Sequence, residues 1–361
     1  MEEHVYVVDG REYLVQDDPE NKTVSSELYN MRFNKQTGHM ARWGRTLEED
    51  PAISPAGPEI LDLEVSAGGC PNKCPWCYKQ NGERPAEHMS LATFKAIIAK
   101  FPKTLTQVAF GITGVQSNPD FIPMMEHCRS LGIVPNFTLS GIDLTPELAD
   151  RISKLAGAVA VSVYDDRDLA YNTVKAFTDR GMRQVNIHLL TAAERGEHMF
   201  RVLLAAQRDE RLKDLNAVVF LGVKPKGGGR TLTPLSDYQF GMLTTFCLVN
   251  KLRFGFDSCS AFKFQKYVTS IQNAAPETTK ALLELTEPCE SSCFSSYVNV
   301  RGEYWNCSFS EGAEGVAPVN VLAVEDFLRD LWYKDAVVAF RQRVIDARGQ
   351  RSCPVYDLDK E

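Results

Sequence analysis

Ile60-Leu61-Asp62-Leu63-Glu64-Val65 is followed four residues later by Cys70-Pro71-Asn72-Lys73-Cys74-Pro75-Trp76-Cys77, and this stretch decides how the chain reads. The first half reads as a strand ending at a cysteine loop. A Cys-x3-Cys-x2-Cys loop can fold three thiolates toward one point. Structural zinc sites usually want a fourth ligand and two paired Cys-x2-Cys arms. Three close thiolates with no nearby fourth fit a four-iron cluster with one iron left open to chelate a substrate or cofactor. A zinc knuckle or free thiols are the plainer alternatives.

Working outward, strand and helix alternate. Strands are expected at Val108–Ile112, Val134–Leu139, Ala158–Val163, Val185–Leu190 and Ala217–Val223. Helices are expected at Leu91–Phe101, Asp120–Leu131, after Thr145-Pro146, near Leu169–Arg180, near 198–207 and at Ser236–Asn250. Thr145 supplies a cap and Pro146 a first-turn proline. Six βα units with short β-branched strands argue a parallel sheet covered by helices, curled by right-handed crossovers into a partial (β/α)6 TIM-like barrel. No Gly-x-Gly-x-x-Gly follows the first strand, so a doubly wound dinucleotide fold loses its main support. In a barrel, chemistry sits on the loops after the strand C-termini, where the Cys70–Cys77 loop lies.

Before this unit, residues 1–57 read as an irregular β-hairpin leader. Turns at Asp9-Gly10-Arg11 and Lys35-Gln36-Thr37-Gly38 divide short strands expected to pad a barrel edge. Prolines 51, 55 and 58 mark a linker. The barrel segment is 58–251. After it, residues 252–361 break the alternation and read as a small α+β domain. It has a short strand at Arg253–Asp257, a hairpin turning at Arg301-Gly302-Glu303 and a helix over about Val324–Ala347.

The 361 residues are 44% hydrophobic and 24% charged, which suits a globular chain and argues against extensive disorder. The net charge of −7 gives no whole-chain case for a nucleic-acid binder, although a local basic groove stays open. No apolar run is long enough for a membrane span, and the acidic N-terminus lacks a signal-peptide core, so the expected location is cytoplasmic. Ten cysteines in a reducing compartment point to metal rather than disulfides. Cys128 and Cys247 sit in apolar helical patterns and read as buried core.

With its aromatic before the last cysteine and its place after the first barrel strand, Cys70–Cys77 resembles the signature of radical S-adenosylmethionine enzymes. The resemblance implies a [4Fe-4S] cluster on Cys70, Cys74 and Cys77. Its open iron binds S-adenosylmethionine, which is cleaved to methionine and a 5′-deoxyadenosyl radical that abstracts hydrogen from substrate. A flavodoxin- or ferredoxin-type donor is implied as the electron source. In the family the second strand often ends in Gly-Gly-Glu, which holds the methionine amine. Here Phe110-Gly111-Ile112-Thr113-Gly114-Val115-Gln116 has no glutamate. Gly111 permits close backbone approach, and Thr113 or Gln116 could offer an acceptor. Trp76, Ser140, Ser162 and His188 complete the candidate cofactor contacts, His188 with the alternative of a packed strand histidine. Lys224-Pro225-Lys226-Gly227-Gly228-Gly229-Arg230 reads either as a flexible basic loop or as an anion cradle.

The spacing Cys289-x12-Gly302-x4-Cys307 is similar to the opening of the SPASM/twitch module appended to many such enzymes. That likeness implies one auxiliary [4Fe-4S] cluster on Cys259, Cys289, Cys307 and Cys353. Cys293 is the alternate ligand, since Cys289-x3-Cys293 is also good chelating spacing. Cys259 is then a candidate hydrogen-donating thiol only if it is not a ligand; no other catalytic residue is assigned. Zinc or scattered core thiols remain the alternatives for this group. By analogy the substrate is a peptide or protein. Rival readings are radical modification of a nucleotide, nucleobase or carbohydrate, and a non-catalytic iron–sulfur or zinc protein. Substrate and product are not legible.

Overall fold

The computed structural model describes residues 2–271, 275–313, 316–351, 353–356 and 358. Five strands open the chain: β1 (Glu2–Val8), β2 (Arg11–Asp17), β3 (Asn21–Ser25), β4 (Asn30–Asn34) and β5 (Met40–Trp43). They pair antiparallel in chain order as a meander. Asp9 and Gly10, both at positive φ (50° and 73°), form the two-residue β1–β2 turn that such backbone favours. This segment does more than pad an edge. Val15, Val24, Met31 and Phe33 alternate onto one face. They bury a second core with Cys293 and Phe294, and with Phe340 and Val344 from the last helix.

The main sheet begins with β6 (Ile60–Glu64). Next come β7 (Ser66–Ala67), β8 (Glu87–His88), α1 (Leu91–Ile98), β9 (Gln107–Gly111), α2 (Phe121–Ser130), β10 (Val134–Leu139) and α3 (Pro146–Leu155). β11 (Ala158–Ser162), α4 (Arg167–Thr178), β12 (Val185–Thr191), α5 (Gly196–Arg208), β13 (Ala217–Gly222) and α6 (Asp237–Val249) complete the alternation. Local chemistry starts these helices. Ser90, Thr145 and Asp166 each accept a backbone N–H of the first turn, and Ser236 and Gln239 form a reciprocal capping box.

The sheet runs β14-β13-β12-β11-β10-β9-β6-β15-β16-β17. β14 (Phe254–Phe256) adds to β13 as a further parallel strand. After α7 (Ala261–Ser270) and α8 (Pro276–Glu284), β15 (Ser295–Val298) lies parallel to β6. β16 (Glu303–Trp305) and β17 (Val319–Asn320) follow antiparallel. The residues after 251 thus supply strands to both edges of the parallel run. Two helices, α7 and α8, were not expected from the sequence, although Pro276 opens α8 at its first turn.

The long helix expected over Val324–Ala347 is broken. A π-turn over Leu328–Trp332 ends at Tyr333, and α9 (Asp335–Ala347) begins after it. Tertiary anchoring prevails here: Trp332 Nε1 donates to Ser54 O at 3.1 Å and Tyr333 Oη to Pro55 O at 2.8 Å, fixing the break against the proline linker.

Alternate strand positions divide the molecule. Leu61, Leu63, Val108, Phe110, Phe137 and Val159 face the helices and form the main core. There Phe94 stacks on Phe110 at a centroid distance of 5.6 Å, and Phe110–Phe121 and Phe121–Phe137 meet edge to face at 5.5 and 5.2 Å. The opposite positions carry small or polar groups, among them Asp62, Ala109, Thr138, Ser162 and His188, and these border an interior cavity. Among the described residues no helix is long and apolar enough to cross a membrane.

Candidate active site

The cysteine loop is pinned at its base by β7 pairing with β8. Above that ladder, Gly69 N–H donates to Arg84 O (2.8 Å) and Cys70 N–H to Asn81 O (3.0 Å). Gly68, at φ 66°, admits no side chain, since a Cβ there would stand 1.8 Å from Pro85 O. A tight turn follows, with Cys77 N–H on Cys74 O at 3.1 Å. Cys70, Cys74 and Cys77 all face one cavity of about 500 Å³ at the C-terminal ends of the strands. Burial pushes the Cys74 thiol up to about 11, with the neighbouring Cys70 and Cys77 adding to the effect.

Of the expected cofactor contacts, Trp76, Gly111, Thr113, Ser140, Ser162 and His188 border this cavity. Gln116 does not; it is exposed, and its amide donates to Asp143 O at 2.6 Å. Asn72, whose role the motif alone does not show, ties the loop to the segment just after β10 by donating to Ser140 Oγ at 2.9 Å. Trp76 lies 4.2 Å beneath the Arg195 guanidinium and 6.2 Å from the Tyr164 ring. His188 Nδ1 is 3.4 Å from Thr138 Oγ1, and burial pushes its imidazole down to about 4, so it is neutral at pH 7.

The glycine-rich segment after β13 is neither a free basic loop nor an open cradle. Its backbone packs on the cysteine loop. Gly228 N–H donates to Cys77 O at 3.0 Å, and Cβ atoms at 227 and 228 would stand 2.4 Å from Tyr78 O and 2.1 Å from Pro75 O. Its lysines are engaged. Lys224 pairs with Asp257, which raises the ammonium despite the opposing effect of burial. Lys226 donates to Ser308 O (2.9 Å) and Glu311 O (2.7 Å).

A second polar group was not anticipated. Lys79 meets Glu64 at 3.3 Å, Tyr297 Oη at 2.5 Å and Glu311. Asn299 Nδ2 donates to Glu311 at 3.0 Å. This buried network ties the cysteine loop to β6, to β15 and to the loop after Cys307. Beside it, the Tyr78 and Phe309 rings meet at a tilt, with centroids 4.6 Å apart.

Cys259, Cys289, Cys307 and Cys353 are linked by a chain of electrostatic neighbours. Cys259 feels Cys289 and Cys353; Cys289 feels Cys307, Cys353 and also Cys293; Cys307 feels Cys353. Burial pushes the thiols of Cys259, Cys289 and Cys307 up, that of Cys289 to about 12. Cys353 Sγ accepts from Val355 and Tyr356 N–H, both at 3.4 Å. Cys293 is fully buried in the second apolar core and has Arg348 and Arg341 as neighbours.

Among the described residues, no three His, Cys, Asp or Glu side chains stand ready-arranged around a metal. Cys70 Sγ instead donates to Thr113 O at 3.5 Å. The donor chemistry nonetheless fits an iron–sulfur group at both places. Each gathers soft thiols suited to iron, and at the C-terminal group Lys224, paired with Asp257, lies within electrostatic reach of Cys259 and Cys353.

No protein-family model and no curated protein matches the chain. Solved structures do. SuiB from Streptococcus suis matches with a TM-score of 0.67 at 13% identity, covering 90% of each chain. SuiB bound to precursor peptide SuiA gives 0.65 at 13% identity, covering 92% of this chain and 95% of the other. The protein anSMEcpe with bound AdoMet gives 0.59 at 13%, covering 83% and 85%. These likenesses show a shared fold, and they bear out at that level the resemblance drawn from the cysteine motif.

Proposed function

We propose that the chain is a radical S-adenosylmethionine enzyme acting on a peptide. In this reading residues 58–251 form a partial (β/α)6 barrel and 252–361 an auxiliary-cluster domain. One observation carries the proposal: three thiols on a loop after the first parallel strand face a cavity bordered by the ends of the other parallel strands. The shared fold supports it, since anSMEcpe holds AdoMet and, in another structure, also a Cp18Cys peptide, and SuiB binds a precursor peptide.

Cys70, Cys74 and Cys77 would hold the first cluster. Cys259, Cys289, Cys307 and Cys353 would hold the auxiliary one, while Cys293 packs in the apolar core. When bound, the first cluster and S-adenosylmethionine supply reductive cleavage of the sulfonium and abstraction of a substrate hydrogen. This chain's residues do the positioning. Asn72 and Ser140 join the cysteine loop to the segment just after β10, and Gly228 fixes the loop from the opposite side. Trp76 under Arg195 covers the loop, and neutral His188 offers the cavity a hydrogen-bonding wall without charge. Engagement of Lys224 and Lys226 within the protein removes the main support for a nucleotide substrate.

The test is anaerobic reconstitution, reduction with dithionite and addition of S-adenosylmethionine. Formation of 5′-deoxyadenosine is the expected result. An iron-loaded, reduced protein that releases none contradicts the proposal.

A further inference from the structure

One carboxyl in the cavity has no partner among the described residues. Asp62 stands mid-strand in β6, level with Ala109 of β9 and Tyr297 of β15, and its side chain borders the cavity. Other charges there are matched. Glu64 is met by Lys79, and Asp257 by Lys224 and by Gly222 N–H at 3.1 Å. Among the described residues Asp62 has neither a hydrogen bond nor an ion pair. Burial and the Glu290 charge push its carboxyl up to about 7.

For the fold alone this is an expensive choice. An unpaired carboxylate in a cavity partly screened from bulk water is unfavourable for folding. The adjacent wall shows that the position does not require a polar side chain, because Ala109 occupies the same level. Asp62 also lies one side-chain layer below the Glu64–Gly111 pair, about 7 Å deeper along the strand than that cofactor candidate. A ligand group meeting it must reach past the level of the cysteine loop.

We infer that Asp62 is a specificity-determining residue whose carboxylate receives a cationic group, a primary amine or guanidinium, on the substrate entering the cavity. The inference rests on the proposed function for the presence of a substrate there, and it adds the chemistry of that substrate. The carboxylate and an incoming cation desolvate together, and each supplies the charge the other lacks.

The test uses the reconstituted holoenzyme with n-butylammonium as probe, n-butanol as its neutral counterpart and S-adenosylmethionine as cofactor, each binding measured by calorimetry. Asp62→Asn should weaken n-butylammonium about tenfold or more while leaving n-butanol and S-adenosylmethionine within about twofold. Asp62→Glu keeps the charge and should retain amine binding within about threefold, which separates lost charge from lost folding. Equal amine affinity in wild type and Asp62→Asn overturns the inference, leaving a carboxyl that is merely hydrated. A tenfold loss of S-adenosylmethionine affinity also overturns it, since the contact then belongs to the cofactor. Failure of the underlying function shows separately, as absence of 5′-deoxyadenosine from the wild type.

Discussion

Gly228→Ala is a small change with a large expected effect. The residue is not in the left-handed region, so alanine meets no backbone strain and the whole effect is steric. Its Cβ would lie 2.1 Å from Pro75 O and 2.9 Å from Cys77 N and from Trp76 C, all backbone atoms that cannot rotate away. Restoring ordinary contact requires the two loops to separate by roughly 1 Å, and overpacking of this kind costs about 1–3 kcal/mol. The hydrogen bond from Gly228 N–H to Cys77 O is weakened in the same movement. Metal ligation tolerates only about 0.2 Å. Iron should therefore fall from about eight to about four per chain, the first cluster being lost. Cofactor cleavage should drop by about 100-fold or more. Gly196→Ala is the control, because nothing lies within 4 Å of its Cβ; iron and cleavage should stay at wild-type levels. Full iron with wild-type cleavage in Gly228→Ala would refute the idea that this contact sets the position of the cysteine loop.

Two further outcomes are expected. Asp62 has its folded-state carboxyl raised from 3.8 to about 7, so the native state binds the extra proton and stability falls as pH rises through that window. The full penalty is about 4 kcal/mol at ~1.36 kcal/mol per pH unit, and screening by water in the cavity reduces it to about 2 kcal/mol. Denaturant unfolding should show Asp62→Asn more stable than wild type by about that amount at pH 8 and equal to it near pH 4; a gap independent of pH contradicts the assignment. For the C-terminal cysteines, Cys259→Ala should lose about four irons and destabilise residues 252–361, while Cys293→Ala keeps its iron. Elemental analysis checks this, and the opposite pattern would exchange the two residues' roles.

The parallel run was legible because its signals are local. Thr145 and Ser236 announce their helices, β-branched runs announce the strands, and three cysteines within eight positions need no tertiary knowledge to read. What escaped depends on contacts between distant segments. Lys79 and Tyr297 are separated by 218 positions, and neither carries a motif. The pairing of β15 with β6 is invisible until the edge of the sheet is known. Gly227-Gly228-Gly229 invites a reading as a flexible or anion-binding loop, and only its packing on Pro75 and Cys77 shows why side chains are excluded. Gln116 sits beyond the strand that positions Gly111, where the chain has already turned toward Asp143. Cys293 and Cys289 have equally good chelating spacing; the fold buries Cys293 completely in the core shared with the leader sheet, while Cys289 packs at that core's margin. The break at Tyr333 runs against a good helical pattern and is imposed by anchoring to Ser54 and Pro55.

In the proposed function, Cys70, Cys74 and Cys77 hold the group that cleaves S-adenosylmethionine. The most direct measurement compares wild type with the triple alanine variant for iron content and for 5′-deoxyadenosine formed after anaerobic reconstitution and reduction. Wild type should hold about eight irons and form 5′-deoxyadenosine, and the variant should hold about four and form none. Continued cofactor cleavage by the triple variant would contradict the account, as would a wild-type protein that retains zinc and takes up no iron.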